Sequence, residues 1–122
     1  MSAEEYARFG EMKMIMHHIY EFKKGIRGLI LCTLCKTYAD IIIKRLQKQG
    51  IEYITQNVGD RKVNLYFGKR ACLDAVSRFI DKPLNLLTPE EDFMLGTMLG
   101  YDITLQCERF CSRKAKMLDA SA

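Results

Sequence analysis

The segment from Leu29 to Tyr53 constrains the fold of this chain more than any other. It opens with a short apolar run, Leu29 to Leu31, which is typical of a strand that is covered on both faces. A helical stripe of apolar residues follows and ends at Gly50, which supplies the left-handed conformation common at helix C-termini. Ile51 to Thr55 is rich in branched and aromatic residues. The segment therefore predicts a strand, a crossover helix and a second strand parallel to the first.

Two further strands are predicted on either side of this unit. From Lys13 to Phe22, large side chains alternate in a way that predicts a first strand with both faces covered. Asn57 to Asp60 has the composition of a turn, and Val63 to Phe67 alternates between apolar and polar residues. The second of these patterns predicts a hairpin, which brings the expected sheet to four strands.

The C-terminal third predicts two helices that pack together as a hairpin. Thr88, Pro89 and Glu91 form the pattern of a capping box with proline at the first helical position, and Asp102 can cap a further helix. The expected fold class is α+β, with a four-stranded mixed sheet, packed helices and a C-terminal helical hairpin. The expected organisation is an N-terminal extension over residues 1–12, a single domain over 13–117 and a C-terminal tail over 118–122.

Composition excludes several broad classes of protein. The chain has 122 residues, enough for one domain that needs no disulfide or metal to stabilise it. It contains no apolar run long enough to span a membrane, and its five cysteines lack an extracellular spacing pattern, so we expect a cytoplasmic protein with free thiols. A net charge of +4 is too small to indicate nucleic-acid binding, but it favours an acidic partner where the charges cluster.

The charges cluster in one loop and along one predicted helix. Lys23, Lys24 and Arg27 converge on a loop with two glycines that could hold a phosphate or an acidic surface. The loop lacks the glycine spacing of a nucleotide-binding motif. The second cluster, over residues 109–116, is interpreted as solvated surface.

A pair of adjacent histidines, His17 and His18, lies on the predicted first strand. Neighbouring residues of a strand point to opposite faces, so both imidazoles could not reach one ion, and no metal site or cofactor is expected. His17 interrupts a face formed by Ile15 and Ile19.

This interruption leaves two interpretations open. The imidazole either forms a hydrogen bond that serves folding, or is held at the surface by Glu21 or by the hairpin near Tyr101 and Asp102 to contact a partner. The expected partner-binding residues are His17, His18, Tyr20, Glu21, Lys23, Lys24, Arg27, Tyr101 and Asp102. No catalytic residue is predicted.

Cys32 and Cys35 are the redox candidates. They follow a predicted strand and precede a predicted helix, where a helix N-terminus lowers the pKa of a thiol. The placement resembles that in glutaredoxins, but the proline that faces the cysteines in that family is missing here. The alternative is that both thiols are buried as small apolar side chains.

Two stretches together resemble a known family. One runs from His17 to Arg27, and the other runs from Leu87 to Gly96 and continues through Tyr101-Asp102 to Arg109. They are similar to a small bacterial family of uncharacterised proteins that are encoded beside flavodoxin or fused to it. The resemblance covers roughly residues 13–113 and implies an α+β fold and an association with flavodoxin. It implies no catalytic residue.

Three functional hypotheses follow. The first is a non-catalytic accessory protein that docks on flavodoxin, whose acidic surface would complement this basic chain. The second is a thiol oxidoreductase or thiol redox sensor that uses Cys32 and Cys35. The third is a structural protein that associates with itself as a homo-oligomer.

Overall fold

The structure, a computed structural model, describes residues 2–121, so Met1 and Ala122, at the outer ends of the predicted extension and tail, lie outside it. It contains five α-helices and three strands within that range. In chain order these are α1 (Ala3–Lys23), β1 (Leu29–Cys35), α2 (Lys36–Lys48), β2 (Tyr53–Val58), β3 (Lys62–Gly68), α3 (Arg70–Ser77), α4 (Pro89–Met98) and α5 (Ile103–Ser121), with a short 3-10 helix at Leu84–Leu86.

The sheet has three strands in the order β1, β3, β2, and both outer strands run antiparallel to β3. Leu31 lies opposite Tyr66, and Thr55 lies opposite Leu65. The predicted four-stranded mixed sheet is therefore wrong. The strand, helix, strand unit does form, and its two strands are parallel in direction, but β3 is inserted between them and no parallel ladder exists among the described residues.

The predicted first strand over residues 13–22 is helical, and this is the main correction to the fold. The residues of α1 that face the core are Met12, Ile15, Met16, Ile19 and Phe22, which recur at spacings of three and four. The side chain of Ser2 accepts a hydrogen bond from the Glu5 amide at 3.1 Å and caps the helix. Residues 3–12, predicted as an extension, thus belong to the same helix as the segment predicted as a strand.

The sheet is covered on both faces, as the apolar run in β1 predicts. The central strand β3 is buried from Val63 to Gly68. On one face α1 and α2 pack against Ile30, Leu34, Leu65 and Phe67. On the other face, α3 and α4 pack against Leu29 and Tyr66.

The α+β class and the C-terminal helical hairpin are confirmed. Thr88 and Glu91 form the predicted capping box at the start of α4, with Thr88 Oγ1 accepting from the Glu91 amide at 3.1 Å. The helices α4 and α5 pack against each other, and Arg109 on α5 binds Asp92 on α4 through two hydrogen bonds of 2.7 and 3.1 Å. Most of α5 is exposed along its other sides.

Candidate functional site at the end of the first helix

The end of α1 directs the basic loop toward the rest of the site. Gly25 adopts a φ of 76°, and the amide of Ile26 donates to the carbonyl of Glu21 at 3.0 Å, the pattern of a helix closed by a left-handed glycine. The chain turns at this point and enters β1 at Leu29. Arg27 is thereby placed between the end of α1 and the start of β1.

Arg27 connects α1 to the C-terminal hairpin. Its Nη1 lies 3.1 Å from Nδ1 of His18, and its Nη2 donates to the carbonyl oxygen of Leu99 at 3.3 Å. Leu99 is the residue that ends α4. The guanidinium therefore joins two parts of the site that are far apart in the sequence.

Glu21 holds the two histidines from the next turn of α1. Its Oε1 lies 3.2 Å from Nε2 of His17 and 3.7 Å from Nδ1 of His18. Because these residues lie on a helix and not on the predicted strand, the two imidazoles do not point to opposite faces of a sheet, and both reach the same carboxylate. Burial lowers the pKa of His18 below 6.5, the Arg27 charge lowers it further, and Glu21 acts in the opposite direction.

The exposed side of this helix end carries an aromatic ring and cations. Tyr20 is 54% exposed, and Nζ of Lys24 lies 5.6 Å from the centre of its ring. The ring of His17 stacks beside Tyr20 at 6.4 Å. Lys23 is exposed next to them. This surface, formed by His17, Tyr20, Lys23 and Lys24, is called the α1-end patch below.

Tyr101 and Asp102, the predicted residues of the hairpin turn, differ in their roles. Asp102 accepts a hydrogen bond from the Leu105 amide at 3.0 Å, so its carboxylate caps α5 as the sequence predicts. Tyr101 is exposed and lines a cavity of about 420 Å³ together with Leu31 of β1. The hydrogen bond between Arg27 and the Leu99 carbonyl places this turn next to the site. Within residues 2–121, neither histidine contacts Tyr101 or Asp102 directly.

The two basic clusters have different surroundings. Arg109 and Arg113 lie within ion-pair distance of Asp92, and Lys114 lies 2.6 Å from Glu90, so carboxylates offset much of the charge on α5. Over the described part of the chain, no carboxylate lies within ion-pair distance of Lys23 or Lys24. The α1-end patch is therefore left with uncompensated positive charge.

The residues of the site lie within the part of the chain that matches a protein family. The model of the family described as "Protein of unknown function (DUF2023)" matches residues 13–113, which extend from within α1 into α5. This chain belongs to that family. None of the curated proteins matches the chain. Every residue of the α1-end patch, and the Arg27 and Leu99 pair, falls within the matched range.

The two redox candidates, Cys32 and Cys35, have different surroundings in this family member. Cys32 and Cys35 both lie in β1, three residues apart, so their side chains point to opposite faces of the sheet. Cys32 is half-buried, and burial raises the pKa of its thiol to about 11, which opposes thiolate formation. Cys35 is exposed at the position before α2.

A polar network that the sequence analysis missed crosses all three strands. Thr33 donates to Asn64 at 2.7 Å, Asn64 donates to Gln56 at 3.1 Å, and these residues are opposite one another in the ladder. The hydroxyl of Tyr66 also donates to Gln56 at 3.0 Å. Gln56 in turn donates to the carbonyls of Ile80 and Lys82 at 2.9 Å, tying the loop after α3 to the sheet. The sequence shows that Asn64 alternates with apolar neighbours. It does not show which residues form hydrogen bonds with Asn64, because strand pairing determines them.

No group of three or more His, Cys, Asp and Glu side chains within residues 2–121 is arranged to hold a metal ion. None of the helices in the same range is both long and apolar enough to cross a membrane.

Proposed function

We propose that this protein is a non-catalytic accessory protein that docks on an acidic redox partner, a flavodoxin, through the α1-end patch and Arg27. The observation that carries the proposal is the uncompensated charge of Lys23 and Lys24 beside the exposed ring of Tyr20. Flavodoxin is the partner because the two sequence stretches from His17 and from Leu87 resemble a family associated with it, and because flavodoxins are typically acidic.

The chemistry of the patch suits a transient electrostatic encounter. Positive charge that no neighbouring carboxylate offsets steers an acidic partner toward this end of the molecule and raises the association rate. Tyr20 and His17 supply apolar and hydrogen-bonding area at the centre of the contact. Weak redox encounters bury less area than stable complexes, so a small patch of charged and aromatic residues suits this kind of contact.

The arrangement of Arg27 supports a role in presenting the patch. Its bonds to His18 and to the Leu99 carbonyl fix the loop between α1 and β1 against the hairpin. The two lysines that precede Gly25 are the last residue and the C-cap of α1, so the helix end and the fixed loop together hold them on a defined surface. A fixed surface loses less conformational entropy on binding.

A titration of the full chain with a flavodoxin from the same organism tests the proposal. We expect measurable binding at an ionic strength of about 10 mM, where charges interact over about 30 Å, and much weaker binding at about 0.1 M, where that length is about 10 Å. Absence of binding at the lower ionic strength would refute the proposal. Binding that does not respond to salt would show that the charges of the patch are not responsible.

A further inference from the structure

The outer edge of β1 is unpaired along its length. The amide of Lys69 donates to the Gly28 carbonyl, and the amide of Lys36 donates to the Arg61 carbonyl, which fixes the even-numbered positions of β1 as the ones bonded to β3. The N–H and C=O groups of Leu31 and Thr33 and the N–H group of Cys35 therefore point away from the sheet, whereas the Cys35 carbonyl lies at the N-cap of α2 and belongs to the first turn of that helix. Within the described residues, none of these outward groups is hydrogen-bonded to another segment.

This edge lies at the bottom of a groove between helices. On one side a cavity of about 320 Å³ is formed by β1 with Glu11, Met14 and His18 of α1. On the other side the cavity of about 420 Å³ is formed with Leu95 and Tyr101 of the hairpin. Leu31 lines both cavities, so they flank the same strand edge.

Arg27 closes one end of the groove with a positive charge. Its guanidinium spans from His18 on one wall to Leu99 on the other. No carboxylate of the described residues lies within ion-pair distance of it, and two of its donors suffice for the bonds that it makes. Donors remain for a carboxylate that arrives from the groove.

We propose that the edge of β1 binds an extended peptide segment with an acidic C-terminal end, which adds to the sheet as a fourth, antiparallel strand. Main-chain hydrogen bonds to Leu31, Thr33 and Cys35 would supply affinity, and alternate side chains of the peptide would enter the two cavities. Because β1 runs away from Arg27, an antiparallel segment ends beside Arg27 and places its carboxylate there. A parallel segment would bring its N-terminal ammonium group against the guanidinium.

The groove geometry favours a single strand over a second copy of this chain. Pairing β1 with β1 of another copy would bring α1 and the hairpin of each molecule against those of the other, since these elements form the walls on both sides of the edge. A peptide strand has no such walls. The proposal does not depend on flavodoxin docking, because it concerns the edge of β1 and a peptide partner, and Arg27 is the one residue that the two proposals share.

The probe is a synthetic peptide of alternating valine and threonine, equal in length to β1, that ends in aspartate with a free carboxylate. Amide hydrogen exchange of the full chain is measured by NMR with and without the peptide. At a peptide concentration of about ten times Kd, exchange at Leu31, Thr33 and Cys35 should slow about tenfold. The outward amides of β2, Thr55 and Asn57, provide an internal control and should not change.

Two matched peptides and one variant test the mode of binding. A peptide N-methylated at the positions that face β1 should not bind, whereas one methylated at the intervening positions should bind normally. Replacing the terminal aspartate by asparagine and amidating the terminus should weaken binding about tenfold. The difference in affinity between the acidic and the neutral peptide should be smaller for the Arg27→Gln variant, because the charge at the end of the groove is absent.

Several outcomes would overturn the proposal. These are an unchanged exchange rate at Leu31 and Thr33, equal binding of the two methylated peptides, or equal binding of the acidic and neutral peptides. Slowed exchange at Thr55 and Asn57 instead would assign strand addition to the other edge. A doubled mass by light scattering in the absence of peptide, with the amides of β1 already protected, would assign the groove to a second copy of the chain.

Discussion

Arg27 lies 3.1 Å from Nδ1 of His18, and since a guanidinium only donates hydrogen bonds, that imidazole nitrogen is the acceptor. His18 is therefore neutral in this arrangement and carries its proton on Nε2. Protonation of Nδ1 would remove the acceptor and leave a second cation beside the guanidinium. The nearest carboxylate, Glu21, is 3.7 Å away from the same nitrogen.

This relationship predicts a loss of stability at low pH. The folded state lowers the pKa of His18 below 6.5, mainly through burial and then through Arg27, so the unfolded chain takes up the proton first. Above the pKa that His18 has in the unfolded chain, its contribution to the free energy of unfolding is complete. The contribution is lost as the pH falls from that value through the lower pKa that His18 has in the folded protein. Melting temperatures measured between about pH 7.5 and about pH 5 should decrease less for His18→Gln than for the wild type.

The neighbouring histidine provides the control for this measurement. The His17 side chain is 68% exposed and does not contact Arg27 in the described structure. His17→Gln leaves the Arg27 and His18 bond in place, so the loss of stability that protonation of His18 causes should remain in this variant. If His18→Gln and the wild type lose stability in parallel, the Arg27 and His18 bond does not couple folding to pH.

Much of the fold could be predicted from local sequence, whereas the strand order could not. The apolar run at Leu29, the helical stripe ending at Gly50 and the hairpin at Asn57 each depend on neighbours in the chain, and all three elements form. The insertion of β3 between β1 and β2 depends on pairing between Leu31 and Tyr66, which no local pattern specifies. Two strands predicted as adjacent are separated for this reason.

The error in α1 and the incomplete prediction of the site have physical explanations. Large side chains occupy every position from Met14 to Phe22, so this segment fits the periodicity of a strand as well as that of a helix. The spacing of the buried residues Ile15 and Ile19 was the signal that favours a helix. The proximity of Tyr20 to Lys24 follows from the chain itself. The bond from Arg27 to the Leu99 carbonyl joins residues 72 positions apart, and only the folded structure reveals it.

Gly68 lies where a larger residue would collide with the backbone of β1. A Cβ atom there would come within 2.9 Å of Leu29 Cα and closer still to the Gly28 carbonyl oxygen. Gly68→Ala should therefore lower the free energy of unfolding by about 3 kcal/mol, as overpacking does. Denaturant unfolding measures this cost.

The control for Gly68 is a glycine with free space around it. Gly10 lies within α1, and a Cβ atom there meets nothing within 4 Å. Gly10→Ala should raise the free energy of unfolding by about 0.5–1 kcal/mol, because alanine favours the helix. Equal effects of the two substitutions would contradict the close approach of β3 to β1.

The polar network across the sheet should contribute measurably to stability. Asn64→Ala removes the partner of both Thr33 and Gln56 in a buried position and should cost about 1–3 kcal/mol. Tyr66→Phe removes one hydrogen bond, leaves Gln56 bonded to Asn64, and should cost about 1 kcal/mol. An exposed hydroxyl that bonds only locally, in Ser77→Ala, should change stability by less than about 0.5 kcal/mol. Effects of Asn64→Ala and Tyr66→Phe as small as that of Ser77→Ala would show that water replaces the network at no cost.

The two cysteines of β1 should react at different rates. The thiol of Cys32 is half-buried, and its pKa is raised to about 11, so alkylation at about pH 8 should be much slower than at exposed Cys35. Mass spectrometry of partially labelled protein gives the order of modification. Faster labelling of Cys32, or ready formation of a disulfide between the two, would contradict this expectation and support the thiol oxidoreductase hypothesis.

The central claim is tested most directly by reversing the charge of the α1-end patch. Lys23→Glu with Lys24→Glu changes the net charge by the same amount as Lys44→Glu with Lys48→Glu, two exposed lysines on α2. In a flavodoxin titration at an ionic strength of about 10 mM, the first pair should weaken binding by at least about tenfold and the second by much less. Equal loss from the two pairs would show that only net charge matters and would contradict docking through the end of α1.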